Sequence, residues 1–260
     1  MVAPECAVLA ILPHRHHVEA GLTQYALSAQ YGLRDGLQLS LRMPFDRKAM
    51  TVRYATLEGS VYAPPYGDIH HRTETLSGLS DPMLLVEWSP HPSWILSGGS
   101  TFPAGKTEPD PVMLGMQGIR HQHIQFGSGT YQPKLALQWA RPGAVSFVAR
   151  GEATLSLYES GEGFRAPSVF AMNAGPSFRL GRMGIDPRIE GQVQTLGRWN
   201  GVVDEGTGFR NGGVRFGISL PARDLVVTTA IYRELWSRGL DQESFRQGTT
   251  WSLGLTWTVD

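Results

Sequence analysis

The amino-acid sequence predicts an all-β chain, an antiparallel up-and-down transmembrane β-barrel of about twelve strands, on three observations. Segment after segment alternates an apolar parity with a polar one, charged side chains stand on the polar parity in mid-segment, and short turns alternate with long loops. The last segment, "GTTWSLGLTWTVD", shows the design plainly. Trp251, Leu253, Leu255, Trp257 and Val259 share one parity, while Thr250, Ser252, Gly254, Thr256 and Thr258 share the other. A strand turns successive side chains to opposite faces, so one face is greasy and the other hydroxylic.

Taken in order, "YALSAQYGL" sets Tyr25, Leu27, Ala29, Tyr31 and Leu33 against Ala26, Ser28 and Gln30. The hairpin turn "RDG" leads from it into "LQLSLRM". "DPMLLVEW", the turn "SPHPS" and "WILSGGSTF" repeat the pattern, as do "YQPKLALQW", the turn "RPGA" and "VSFVARGEATLSLY". That last segment is longer than the usual globular strand of about 5–6 residues and suits a tilted bilayer crossing. "SVFAMNAGPSFRL", "GIDPRIEGQVQTL", "GGVRFGISL" and "LVVTTAIYREL" precede the terminal segment. These make eleven, and bacterial outer-membrane barrels have even strand numbers, so a further strand is expected before Leu22, around "CAVLAIL". Residues 1–21 are accordingly read as an N-terminal segment, a first strand or extension, and residues 22–260 as a single barrel domain.

Composition agrees. The 23 basic and 23 acidic residues cancel, which gives no global attraction for nucleic acid. Charged residues make up 18% of the chain, against about 25% in soluble domains. No apolar run reaches the roughly 18 residues of a transmembrane helix, so strands are the means by which this chain could span a bilayer. The single cysteine, Cys6, excludes an internal disulfide, and "MVAPECAVLAIL" lacks the basic start and cleavage site of an export signal.

Tight turns at "RDG", "SPHPS", "RPGA", "LGRMG" and "PARD" alternate with longer stretches at about 46–79, 103–128, 159–165, 198–210 and 236–247. That asymmetry predicts short periplasmic turns and long extracellular loops. Arg42, Glu87, Lys134, Arg150, Glu152, Asp186, Arg188, Glu190 and Arg215 would be intolerable in a dry core unless each were paired. Facing a wet lumen they cost little, and they are read as its lining and constriction. Trp88, Trp139, Trp251, Trp257 and Tyr31, near strand ends, suit interfacial aromatic girdles.

"YALSAQYGLRDGLQLSLRMPF" resembles the paired strands of an outer-membrane barrel transporter family named after the meta-pathway of phenol degradation. "SGLSDPMLLVEW" is similar to that family's Gly-Leu-Gly-Asp segment leading into a strand. The resemblance covers most of residues 22–260. It implies a barrel of about twelve strands in the outer membrane of a Gram-negative bacterium, passing small compounds. The chain departs from the family by continuing past Trp257 to "TVD", and by its short segment before Leu22.

Seven of eight histidines fall in three clusters, His14, His16 and His17, then His70 and His71, then His121 and His123. The strand count gathers them at the long-loop end, where imidazoles could capture zinc or copper. Ser100 and Ser128 with His123 would be the candidates for a hydrolase, but no local Ser/His motif supports one, and no enzyme is expected. The function read from the sequence is a channel or transporter-like barrel for small solutes. Its surroundings are outer-membrane lipid, and it could assemble as a homo-oligomer. The alternative is a non-conducting binding or anchoring barrel whose His-rich rim holds a metal ion or a partner protein.

Overall fold

The computed structural model describes residues 13–64, 73–121, 124–240 and 246–258. Its first hairpin joins β1 (His14–Arg34) to β2 (Leu37–Thr56). β3 (Glu74–Leu79) and β4 (Met83–His91) both pair with β2, β4 along residues 37–42 and β3 along 45–50. They are one stave interrupted at Ser80, Asp81 and Pro82, where three residues face only Met43 and Pro44 of β2. β5 (Trp94–Thr101) follows, then a loop holding α1 (Pro111–Met116), then β6 (Gln132–Arg141), β7 (Val145–Thr154) and the two-residue β8 (Phe164–Arg165). β9 (Val169–Leu180) and β10 (Met183–Gln194) form a hairpin. β11 (Gly197–Trp199) and β12 (Val202–Asp204) lead to β13 (Phe209–Ala222), β14 (Leu225–Gly239) and β15 (Thr250–Trp257).

The main sheet runs β1-β2-β4-β5-β6-β7-β9-β10-β13-β14-β15, each strand antiparallel to the next, with β3 continuing β4 along β2. Counting the interrupted stave once gives eleven, one for each alternating segment of the sequence. β1 and β15 end the path. The strand expected around residues 6–12 lies outside the described residues. β1 begins at His14, eight residues before Leu22, so "HRHH" belongs to a strand. β8, β11 and β12 make a separate small sheet in which Phe164 and Trp199 stack with ring centroids 4.7 Å apart.

Tight turns at one edge and long loops at the other follow the predicted alternation, with one correction. Half of the stretch expected to loop from 46 to 79 is strand: β2 runs on to Thr56 and the chain rejoins the sheet at Glu74. Here both parities of β2 turn polar, with Arg47 and Arg53 on one and Lys48 on the other, so the alternation that marks a strand disappears.

Residues paired across an antiparallel ladder point to the same side, and the register sorts the sheet into two faces. One is apolar and uncovered. Leu253 is 75% exposed, and Leu27 and Ile189 are each 72%. Trp88, Trp94, Trp139 and Trp257 share this face near the tight turns, and Trp236 and Trp251 lie on it toward the long loops. Among the described residues the buried apolar side chains are Leu85, Phe164, Trp199 and Ala230 with the prolines Pro44 and Pro111, and Phe164 and Trp199 belong to the small sheet. A water-soluble domain could not fold on so little interior, nor leave so wide an apolar surface bare.

Neighbouring residues on β15 give a direct comparison of the two faces. In protein refolded into phospholipid bilayers, Leu253→Arg should cost about 2–4 kcal/mol of stability, measured by chemical unfolding. Ser252→Arg, on the other face, should cost less than about 1 kcal/mol.

Candidate functional site

All nine charged residues singled out in the sequence stand on the polar face. Gln38 lies opposite Glu87, Glu87 opposite Ser97, Ser97 opposite Ala136, and Ala136 opposite Glu152. One step along, Arg150 faces Asn173, Asn173 faces Glu190, and Glu190 faces Gly213. Arg188 pairs with Arg215, Asp186 with Gly217, Lys134 with Thr154, and Arg42 with Met83. The structure adds three that the sequence reading missed. Asp46 and Lys48 share the parity of Arg42 on the upper half of β2. Glu234 faces Gly213 in the same register that sets Tyr232 opposite Arg215, and the one-residue slip of β14 comes just after it, between the Gly213 and Gly212 pairings.

These charges are matched in small groups. Arg188 Nη2 lies 3.1 Å from Asp186 Oδ1, and its other terminal nitrogen donates to the Gly175 carbonyl. Arg150 Nε is 3.4 Å from Glu152 Oε2, and Arg215 Nε is 4.0 Å from Glu190 Oε1. Lys134 Nζ donates to the Thr154 hydroxyl at 2.7 Å, and the Gln38 amide donates to Glu87. Near the long loops, Arg42 donates to Gln24 Oε1 at 2.5 Å and Gln24 Nε2 to Asp46 Oδ1 at 2.9 Å, while the Ser80 hydroxyl donates to Asp46 Oδ2 at 2.6 Å. Asp46, 5% exposed, thus ties β1, β2 and the interrupted stave together. Opposite charges that alternate along a face leave no strong field of one sign.

The polar face is concave. A cavity of about 420 Å³ reaches from β7 to β15 and is lined by Glu152, Asn173, Glu190, Arg215, Tyr232 and Thr250 among others. A second, of about 260 Å³, continues past Arg215 to Asp186, Arg188 and Thr228. Carboxylates, guanidinium groups, amides and hydroxyls in such a groove can replace part of the hydration of a small polar molecule.

Over the same face at the loop end lie described residues, 102–121 and 124–131, of the connection from β5 to β6. Phe126 rests on Gly78, where a Cβ would meet the ring at 3.2 Å, and Gly78 pairs with Asp46. Lys48 Nζ donates to the Gln125 carbonyl at 2.6 Å and sits 4.9 Å from the centre of the Phe126 ring.

The histidines are only partly brought into view. His14 opens β1 at the loop end, with its ring 4.9 Å from that of Tyr62 and 5.8 Å from that of Tyr54. His17, exposed, pairs with Arg53, and the buried His121 places Nδ1 2.9 Å from the Ile119 carbonyl. His70, His71, His123 and the side chain of His16 lie outside the described residues. Among the described residues no group of three His, Cys, Asp or Glu side chains is arranged to hold a metal ion. Ser100 donates to the Thr101 carbonyl at 2.8 Å, and the Ser128 hydroxyl to Asp81 at 2.8 Å, so neither is hydrogen-bonded to a described histidine.

No family model matches the chain, and no curated protein does. Among solved structures, the chain is similar in fold to the crystal structure of an outer membrane channel from Pseudomonas putida F1. The TM-score is 0.58 at 11% sequence identity, over 92% of this chain and 82% of that one. The shared feature is the fold, an antiparallel all-β sheet with almost no helix.

Proposed function

We propose that the sheet closes into a barrel of about twelve strands in the outer membrane of a Gram-negative bacterium, and that small solutes pass through its charged interior. The observation that carries this reading is the inverted polarity of the sheet, charged on the concave face and apolar on the face left bare. Lipid is the solvent in which that arrangement is stable. The fold likeness to an outer membrane channel supports it. Strand parity supports the count: with eleven antiparallel staves the two end strands run the same way, so an antiparallel closure needs one more. Small paired clusters of both signs suit a passage that hydrates polar solutes without trapping one charge.

Single-channel recording in planar bilayers tests the proposal. The refolded protein should conduct steadily. Arg188→Ala should shift ion preference toward cations by roughly two-fold, because it frees Asp186 from its partner. A folded barrel that never conducts would overturn the reading in favour of a binding or anchoring barrel. In the same recordings, a metal-binding rim requires that zinc or copper block the current, that a chelator restore it, and that His14→Ala with His17→Ala abolish the block.

A further inference from the structure

The segment "SGLSDP" carries an acidic residue that the strand network does not use. Ser80, Asp81 and Pro82 interrupt the third stave, with three residues facing two of β2. An extra residue of this kind re-aims a side chain away from the ladder. Ser80 remains in the sheet, donating its amide to the Pro44 carbonyl at 3.0 Å and its hydroxyl to Asp46. Asp81 turns to the 102–131 loop instead. Its Oδ1 accepts the Gly105 amide at 2.9 Å, and its Oδ2 accepts the Ser128 amide at 2.7 Å and the Ser128 hydroxyl at 2.8 Å.

Gly105 and Ser128 belong to opposite arms of that loop, so each carboxylate oxygen grips a different arm. The arms are joined to each other just beyond. The amides of Phe126 and Gly127 donate to the Lys106 carbonyl at 3.0 and 3.1 Å, and the Glu108 amide donates to Gln125 Oε1 at 2.7 Å. The approach is close enough that a Cβ on Gly127 would come within 2.5 Å of Asp81 Oδ1. Ser128 and Thr130 are 6% and 0% exposed, so the grip is sheltered, and hydrogen bonds to an ionised acceptor are the strong ones. Past this grip the returning arm lays Phe126 and Gln125 across Gly78 and Lys48, on the charged face.

We propose that Asp81 is a positioning residue for passage: it latches the 102–131 loop over the mouth of the charged face, and the latched loop narrows the way through. The proposal rests on the reading of the chain as a passage for small solutes. Neither the loop nor Asp81 is needed to complete the sheet, since β2, β4 and β5 pair without them.

Trypsin and conductance test it together on the refolded full chain, with barrel folding checked by heat-dependent gel migration. Asp81→Ala should speed cleavage after Lys106 and Arg120 by about ten-fold, as local opening becomes easier, and should raise single-channel conductance. Asp81→Asn, which keeps the shape but loses the charge, should fall between. A reversible version guards against misfolding: Asp81→Cys with Ser128→Cys, in a Cys6→Ser background, should match the parent when oxidised and the alanine variant when reduced. Unchanged cleavage and conductance in Asp81→Ala, or no difference between oxidised and reduced pairs, would overturn the proposal. If cleavage accelerates but no form conducts, parent included, the loop is latched but guards no passage, and both this proposal and the channel reading fall.

Discussion

Everything in this chain depends on backbone hydrogen bonding between neighbouring strands. The described residues bury only six apolar side chains, prolines included, and two of them lie in a small sheet among the loops, so no packed core holds the long strands together. What holds them is a ladder of amide and carbonyl groups running from β1 to β15, with registers that continue for as many as nineteen residue pairs. In water such a ladder competes with solvent for every bond. In hydrocarbon there is no competitor, and an unmade bond costs several kcal/mol. The environment that removes competition is also the one that welcomes the apolar face, so both features point to the same solvent.

The polar face answers a different demand. Its charges are grouped so that each carboxylate or guanidinium meets a partner on its own strand or the next, at distances from 3.1 to 4.0 Å for the ion pairs along β7, β10 and β13. Pairs of this kind contribute little stability where water reaches them. Their work is geometric, since alternating signs keep a concave surface hydrated without concentrating one charge. Asp46 differs from the others by being sheltered and shared, and it joins the first hairpin to the interrupted stave beside the loop that covers the face.

Much of this was legible in the sequence because period-two alternation survives wherever one face must be apolar. Within the band from the tryptophans near the tight turns to the first residues of the loops, that requirement is strict, and Arg42, Lys134, Arg150 and Arg188 could be assigned to a face by counting. Beyond the band the requirement lapses. Arg47, Lys48 and Arg53 succeed one another on both parities of β2, and "HRHH" opens β1 without an apolar partner set, so two long strand extensions read as loop and as N-terminal segment. Glu234 keeps the parity of Ala230 and Tyr232 and was legible by the same count; the slip in register comes one residue later, at Leu235, and moves Trp236 rather than Glu234. The loop over the charged face was invisible because backbone amides make its contacts, and any sequence supplies amides; only the Asp81 carboxylate and the glycine facing it leave a trace in residue type.

The central claim is that the two faces of the sheet meet different solvents. Nitroxide labels placed singly along β7, in a Cys6→Ser background and in phospholipid vesicles, read this directly through collisions with dissolved oxygen and with a water-soluble nickel chelate. Labels at Phe147, Gly151 and Ala153 should favour oxygen, and labels at Ser146, Glu152 and Thr154 should favour the chelate, alternating along the strand. Equal access of the chelate to both sets would mean that water covers both faces, and would contradict a sheet that stands in lipid.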